Sequence, residues 1–142
     1  KEVCVTATLV DGLVFARAVF HNSVNYRSAV LFGRPEAVTE EAAKNEALRA
    51  LTEKLMPGRW DDSREPTSQE LKGTAVLRME IDEATAKVRT GGPVDEPEDY
   101  DLPNWAGTVP LREVAGEPIA DDRLEAGTAV PPYVEELLRE RT

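Results

Sequence analysis

Residues 20–33 read Phe20-His21-Asn22-Ser23-Val24-Asn25-Tyr26-Arg27-Ser28-Ala29-Val30-Leu31-Phe32-Gly33. A polar block holding the only histidine of the chain runs directly into an apolar, strand-like run that ends in glycine. Hydroxyls, amides, a guanidinium, a phenol and an imidazole thus gather where a strand begins. A stiff strand fixes such donors in position, which suits an anionic, planar, hydrogen-bonding ligand. Arg27 to Phe32 reads as a strand, and Gly33-Arg34-Pro35 as a bulge or bend after it.

Upstream, Val3, Val5, Ala7 and Leu9 alternate with Cys4, Thr6 and Thr8, a period of two that marks a strand. Asp11-Gly12 follows, and then the β-rich run Leu13 to Phe20. Asp-Gly between two such runs predicts a tight hairpin. Downstream, Thr39 is placed to cap a helix from Glu40 to about Leu55, whose stripe of Ala43, Ala47, Leu48, Leu51 and Leu55 predicts that it covers a sheet or barrel. Pro57-Gly58 ends it. Thr67-Ser68-Gln69-Glu70 predicts a capping box opening a short helix, Ser68 to about Lys72. Ala75 to Ile81 reads as a strand and Ala86 to Arg89 as a short extended segment. Val94 to Leu102 reads as an acidic surface loop, too polar to bury itself. Trp105 to Val114 reads as a last strand that Pro110 confines to an edge. The tail 131–142 carries a short amphipathic helix, Tyr133 to Arg139.

Strands with turn signals, one long helix and little βαβ alternation predict a mainly β fold with covering helices, a small antiparallel barrel of the α+β class. The 142 residues are expected to form a single domain spanning 1–142. The chain opens inside a strand pattern without methionine, so upstream sequence is expected to precede it, and no signal peptide is visible.

Twenty-seven acidic against 17 basic side chains give a net charge of −10, a field that argues against nucleic acid and against anionic lipid as partners. With 41% apolar residues and no long apolar run, no membrane span is expected. An anionic ligand therefore needs a local basic pocket. The single cysteine, Cys4, excludes an intrachain disulfide, fits a reducing, cytoplasmic setting, and reads as a small buried hydrophobe on a strand.

At Asn25-Tyr26-Arg27-Ser28 with Phe32-Gly33, at Pro57-Gly58-Arg59-Trp60 and at Ala86-Lys87-Val88-Arg89-Thr90-Gly91, the chain resembles the flavin-nucleotide-binding branch of the pyridoxamine 5′-phosphate oxidase-like proteins, which includes the nitroimidazole-resistance proteins. Asp11-Gly12, Asp99-Tyr100, Trp105-Ala106-Gly107 and the late Pro-Tyr follow in the same order, from Val3 to about Val134. The resemblance implies an FMN-binding split β-barrel that forms a homodimer, with FMN in clefts between the subunits and a flavin-dependent redox activity on a small molecule. It also implies early barrel strands ahead of Val3, which this sequence lacks. The branch often has a second histidine where this chain has Asn22.

On that resemblance Asn25, Tyr26, Arg27, Ser28, Trp60, Lys87 and Arg89 are the candidate cofactor-binding residues, and His21 is the candidate catalytic one. A phosphate suits guanidinium forks, ammonium and hydroxyl donors, which Arg27, Ser28, Lys87 and Arg89 offer. Lys87 and Arg89, two apart on an extended segment, are expected to point to one face as an anion clamp. Each has a plainer alternative. Arg27 would pair with a surface acid, Ser28 would be solvated, and Tyr26 would be a half-buried packing residue. Lys87 and Arg89 would be solvated charges, Trp60 a core anchor, His21 a satisfied loop residue, and Asn25 a turn former. No second histidine completes a metal site.

In a flavin enzyme the cofactor carries the electron chemistry, so no nucleophile is required. None is offered either, since G-x-S-x-G, the P-loop and the Rossmann glycine pattern are all absent. The function expected is an FMN-dependent oxidoreductase that takes electrons from a reduced nicotinamide. A non-catalytic flavin-nucleotide carrier or sensor and a cofactor-free interaction domain remain alternatives. The residues leave open NADH against NADPH, and FMN against a deazaflavin or haem.

Overall fold

A computed structural model describes residues 1–140. In chain order it has β1 (Val3–Phe15), a 3-10 turn at Val19–His21, β2 (Ser23–Ala37), α1 (Glu41–Leu55), α2 (Ser68–Gly73), β3 (Leu77–Arg89), a second 3-10 turn at Pro97–Asp101, β4 (Gly107–Pro110) and α3 (Pro132–Glu140). The strands form one sheet in the order β3-β2-β1-β4, with β1 antiparallel to both β2 and β4.

The register of β1 against β2 runs from Val3 opposite Gly33 to Val10 opposite Tyr26, then resumes with Gly12 opposite Asn25. Asp11 is the extra residue. The Asp11-Gly12 pair is therefore a β-bulge inside one continuous strand, and the expected hairpin turn there is corrected. Asp and Gly suit a bulge as well as a turn, and here both flanking runs pair with the same partner, so the ladder continues through them. The chain reverses instead at residues 16–22, where Asn22 Oδ1 accepts the Ala16 N–H at 2.7 Å. Gly12 is buried against β4, and a Cβ there would stand 3.1 Å from the Val109 carbonyl oxygen. Asp11 keeps its own carbonyl occupied by the Leu111 N–H at 3.0 Å.

Other expectations change in extent. β2 runs through Gly33-Arg34-Pro35 as far as Ala37, and the two segments expected around 75–81 and 86–89 are one strand, β3. Glu40, not Thr39, holds the N-cap position of α1, without a side-chain cap bond. The last strand shrinks to Gly107–Pro110, and its Pro110 lies on the sheet edge as expected.

The chain divides into two compact units. The first comprises Lys1–Pro35 and Met79–Arg112. Its most enclosed side chain is Val14, 1% exposed, which stands opposite Ser23 on one side and Thr108 on the other. Phe15 and Trp105 meet with ring centroids 5.8 Å apart, although Trp105 remains 68% exposed. The loop after β3 is not the free acidic surface that was expected. Asp95 is buried and accepts the backbone N–H groups of Arg17 and Ala18 together with Arg17 Nη1–H. Cys4 is exposed rather than buried, as are the other residues from Val3 to Val10 on both faces of β1.

The second unit comprises Glu36–Arg78 and the described residues from Glu113 on. The Thr67–Glu70 capping box opens α2 as expected, with Arg64 paired to Glu70 at 2.9 Å. Leu71 is buried where α2 meets α1, and Lys44 of α1 donates to the carbonyls of Leu71, which also accepts the Thr74 N–H, and of Thr74, just past the end of α2. After α1, Glu53 accepts the Gly58 and Trp60 amides, and Gly58 adopts φ +82°, which only glycine takes without strain. Leu51 and Leu55, expected to cover a sheet, are more than half exposed.

Candidate functional site

The pleat of β2 decides where the candidate residues point. Neighbours along a strand face opposite sides, and residues two apart share one. Tyr26 and Ser28 share one face with their cross-strand partners Val10 and Thr8. Asn25 and Arg27 occupy the other. The four-residue block read as one cluster is thus two half-sites, back to back across the sheet.

On the first face the Thr8 and Ser28 hydroxyls are 2.8 Å apart and hydrogen-bonded to each other. Each hydroxyl keeps donor or acceptor capacity for another partner. Tyr26 is half-buried, and the ammonium of Lys87 lies 6.0 Å from its ring centroid, at the outer limit of a cation–π contact. Two hydroxyls, a phenol and an ammonium therefore line one stretch of sheet.

On the second face Asn25 is buried. Its Nδ2 donates to the Gly91 carbonyl at 2.9 Å, and its Oδ1 accepts from Arg89 Nη1 at 2.9 Å. Arg89 Nη1 also reaches the Val24 carbonyl at 3.3 Å. The turn at Gly91, where φ is +111°, is thereby tied to β2. Arg27 meets Asp11 fork to fork, with Nε donating to Oδ2 at 2.9 Å and Nη2 to Oδ1 at 2.8 Å. That hydrogen bond holds the Asp11 carboxyl below the usual range against desolvation, the next-largest influence, with the guanidinium charge adding a smaller downward pull.

Lys87 and Arg89, which their spacing predicts to share a face, have different partners. The lysine is directed to Tyr26, whereas the arginine bends to Asn25 and the Val24 carbonyl. Trp60 belongs to the second unit, half-buried, with its amide held by Glu53. His21 ends the 3-10 turn after β1, its ring edge-on to Phe20 at 5.6 Å. Val19 and Phe20 beside it are 87% and 92% exposed.

Sequence reasoning missed Asp11 as the partner of Arg27 and Thr8 as the partner of Ser28. Counting by two along the strands before Gly12 would have put Thr8 with the other hydroxyls. The same counting places Asp11, two residues beyond the Leu9 that stands opposite Arg27, on the face of that arginine.

An antiparallel four-stranded sheet together with three helices makes the chain an α+β protein. The sequence profile described as pyridoxamine 5′-phosphate oxidase matches residues 1–88, and the chain belongs to the pyridoxamine 5′-phosphate oxidase-like split-barrel family. Among solved structures, the flavocytochrome Anf3 from Azotobacter vinelandii is 40% identical, with a TM-score of 0.88, covering 96% of this chain and 64% of its own. The FAD and haem binding protein from Mycobacterium smegmatis is 38% identical, with a TM-score of 0.89, covering 96% of this chain and 67% of its own. The chain therefore spans about two thirds of the length of these two relatives. No curated protein matches it. Among the described residues no helix is long and apolar enough to cross a membrane.

Proposed function

We propose that this chain is the flavin-nucleotide-binding part of an oxidoreductase that acts on a small molecule, with a reduced nicotinamide as electron donor. The observation that carries the reading is the 40% identity, over 96% of the chain, to a protein named as a flavocytochrome. The donor set is consistent with it. A flavin nucleotide presents a flat ring system, a polyol and a phosphate. The Thr8–Ser28 hydroxyl pair and the Lys87 ammonium suit the phosphate and polyol, and Tyr26 offers an aromatic surface, whereas Arg27, on the other face, is held by Asp11. FMN is the coenzyme that the family resemblance implies, and FAD is the one named in the mycobacterial relative. Both carry the same phosphorylated flavin.

The flavin, once bound, supplies hydride and single-electron transfer. The chain's own side chains bind and orient: hydroxyls and ammonium fix the phosphorylated arm, and the sheet beneath them is stiff enough to hold that geometry. We place the site at the interface of a homodimer, as the family resemblance implies. The exposed apolar side chains Val10, Leu13 and Val24 on the Tyr26 face are consistent with a covering subunit.

A second reading adds haem. Both relatives carry it in their names, and His21 is the one imidazole this chain can offer as an axial ligand. Titrating the purified protein with FMN, FAD, riboflavin and haemin, followed by visible absorption, tests both readings. Uptake of flavin, with bleaching by NADH or NADPH and reoxidation by an added acceptor, supports an oxidoreductase. Uptake without bleaching leaves a carrier or sensor. A colourless protein that takes up no flavin sinks the reading, and absence of a Soret band sinks its haem extension.

A further inference from the structure

We infer that Trp105 is the platform on which the flavin ring stacks, held in place by Phe15 and Gly107, a role that rests on the flavin-nucleotide reading above and assigns the ring end of that site. Gly107 stands opposite Phe15 in the ladder, and cross-strand partners share a face. A Cβ on Gly107 would stand 2.9 Å from Trp105 Cζ2 and 3.1 Å from Cη2. The indole therefore lies on the Phe15 face, seated over backbone that carries only a hydrogen. Phe15 meets it with ring centroids 5.8 Å apart.

Register makes this the face of the hydroxyl pair. Phe15 and Leu13 share a side of β1, Leu13 stands opposite Val24, and Val24, Tyr26 and Ser28 follow at intervals of two along β2. The reverse face is closed there, where Val14 is enclosed and Asn25 and Thr108 both donate to the Gly91 carbonyl. The Trp105 face is open. Trp105 is 68% exposed, unusual for a side chain that is mostly buried in folded proteins, and Leu13, Val24 and Val109 on the same face are exposed too.

Polarity along this face has a direction. Thr8 and Ser28 supply hydroxyls at one end, Tyr26 and the Lys87 ammonium follow, and beyond them come Val24, Leu13, Phe15 and Trp105. From Ser28 to Val24 the strand rises roughly 13 Å, and Phe15 lies farther on, a span on the scale of an extended flavin nucleotide. Placed the other way round, the phosphate would lie among apolar side chains with its charge unpaired, which costs far more than leaving it in water. The flat ring gains from an indole face instead. A ligand polar at one end and aromatic at the other thus fits this graded face in one orientation.

The test measures affinity by ultrafiltration for FMN, riboflavin and lumiflavin, the last of which keeps the ring and lacks the phosphorylated arm. Trp105→Leu is expected to weaken all three alike, by about two- to tenfold, the range of one aromatic pair, and Trp105→Phe by less. Gly107→Ala keeps the indole but pushes it off its seat, and should weaken all three as well; it carries the test if Trp105→Leu does not fold. An indole in contact with a flavin quenches its emission by electron transfer, so flavin bound to the unaltered protein should be dimmer than flavin bound to Trp105→Leu. Unchanged affinities, a loss confined to FMN, or equal emission from the bound flavin would overturn the platform and leave the flavin reading standing. Loss of a dimer in Trp105→Leu with ring affinity intact, read by analytical ultracentrifugation, would overturn it too and give the indole to a subunit contact. If the unaltered protein takes up none of the three flavins, the reading and the platform fall together.

Discussion

The carboxylate of Asp95 is sealed from solvent and grips Arg17 twice, through its backbone N–H at 2.9 Å and its Nη1–H at 3.1 Å. A third bond, from the Ala18 N–H at 3.3 Å, completes a clasp between the β1–β2 connection and the loop beyond β3. The Arg17 guanidinium also lies 4.9 Å from the Tyr100 ring centroid, so the same arginine anchors the 3-10 turn after Asp95. This one contact spans 78 positions of sequence.

Removing that carboxylate leaves two backbone amides and a partly buried guanidinium without their acceptor, and Arg17 Nε already has none. Breaking one partner of such a pair costs more than the pair itself is worth. Asp95→Ala is expected to lower the thermal midpoint by several degrees, and Asp95→Asn by less, because its amide oxygen still accepts. Differential scanning calorimetry of the two variants checks the order, and equal midpoints for Asp95→Ala and the unaltered chain would refute it.

Acid should act on the Thr67 cap. Arg64 first, then the backbone and side chain of Thr67, hold the Glu70 carboxyl down from 4.5 to about 2. A carboxyl lowered in the folded state contributes stability that is whole above its ordinary value and is lost as pH falls through the folded one. The stabilising effect of Glu70 relative to Glu70→Gln is therefore expected to be full above pH 4.5 and to vanish near pH 2. Thermal midpoints of both proteins across that range should converge on acidification, and parallel curves would contradict the assignment.

Space is the issue at Gly33. A Cβ there would collide with the Glu80 carbonyl oxygen, which is backbone and cannot swing aside, and with Met79 Cγ. Gly33→Ala is expected to destabilise by about 1–3 kcal/mol, the usual range for overpacking, with β3 displaced from β2. Gly116→Ala, where a Cβ meets nothing within 4 Å, is the control and should leave the urea midpoint unchanged.

On the Tyr26 face, the Lys87 ammonium lies 6.0 Å from the Tyr26 ring centroid, and Ser28 of the hydroxyl pair is two residues along the same strand. Lys87→Gln is expected to weaken FMN and FAD by about two- to tenfold and riboflavin hardly at all, and to flatten the salt dependence of FMN binding. Equilibrium titrations at two ionic strengths read this out. Identical losses for the three flavins would assign Lys87 to the ring instead.

Much of the scaffold was legible because its signals are local. The Thr67-x-x-Glu70 box, the proline-glycine stop after α1 and the edge proline in β4 each encode a hydrogen-bond requirement within a few residues. Asp11-Gly12 was misread because turn and bulge ask for the same two residues, and only the partner strand distinguishes them. The site was half legible. Residues 25–28 were found as a block, but a block on a strand alternates sides, so Tyr26 and Ser28 part from Asn25 and Arg27. Asp95 was unreadable in kind, since an acid in an acidic loop gives no sign of an arginine so far upstream.

The bulge has a consequence for how this protein tolerates changes in length. Losing the single codon for Asp11 would not merely delete one acidic group. It would also close the bulge: Val10 and Gly12 already stand opposite the consecutive residues Tyr26 and Asn25, so both arms of β1 would keep their partners and their sides in an unbroken ladder, while Arg27 would lose its carboxylate partner. Codons inserted between Ala16 and Asn22 would leave the strand register unchanged but lengthen the reversal that Asp95 and Asn22 hold together. Strand pairing in this chain is thus most forgiving of a lost residue at the bulge, and a library of single-codon deletions along β1 would map how far that forgiveness extends.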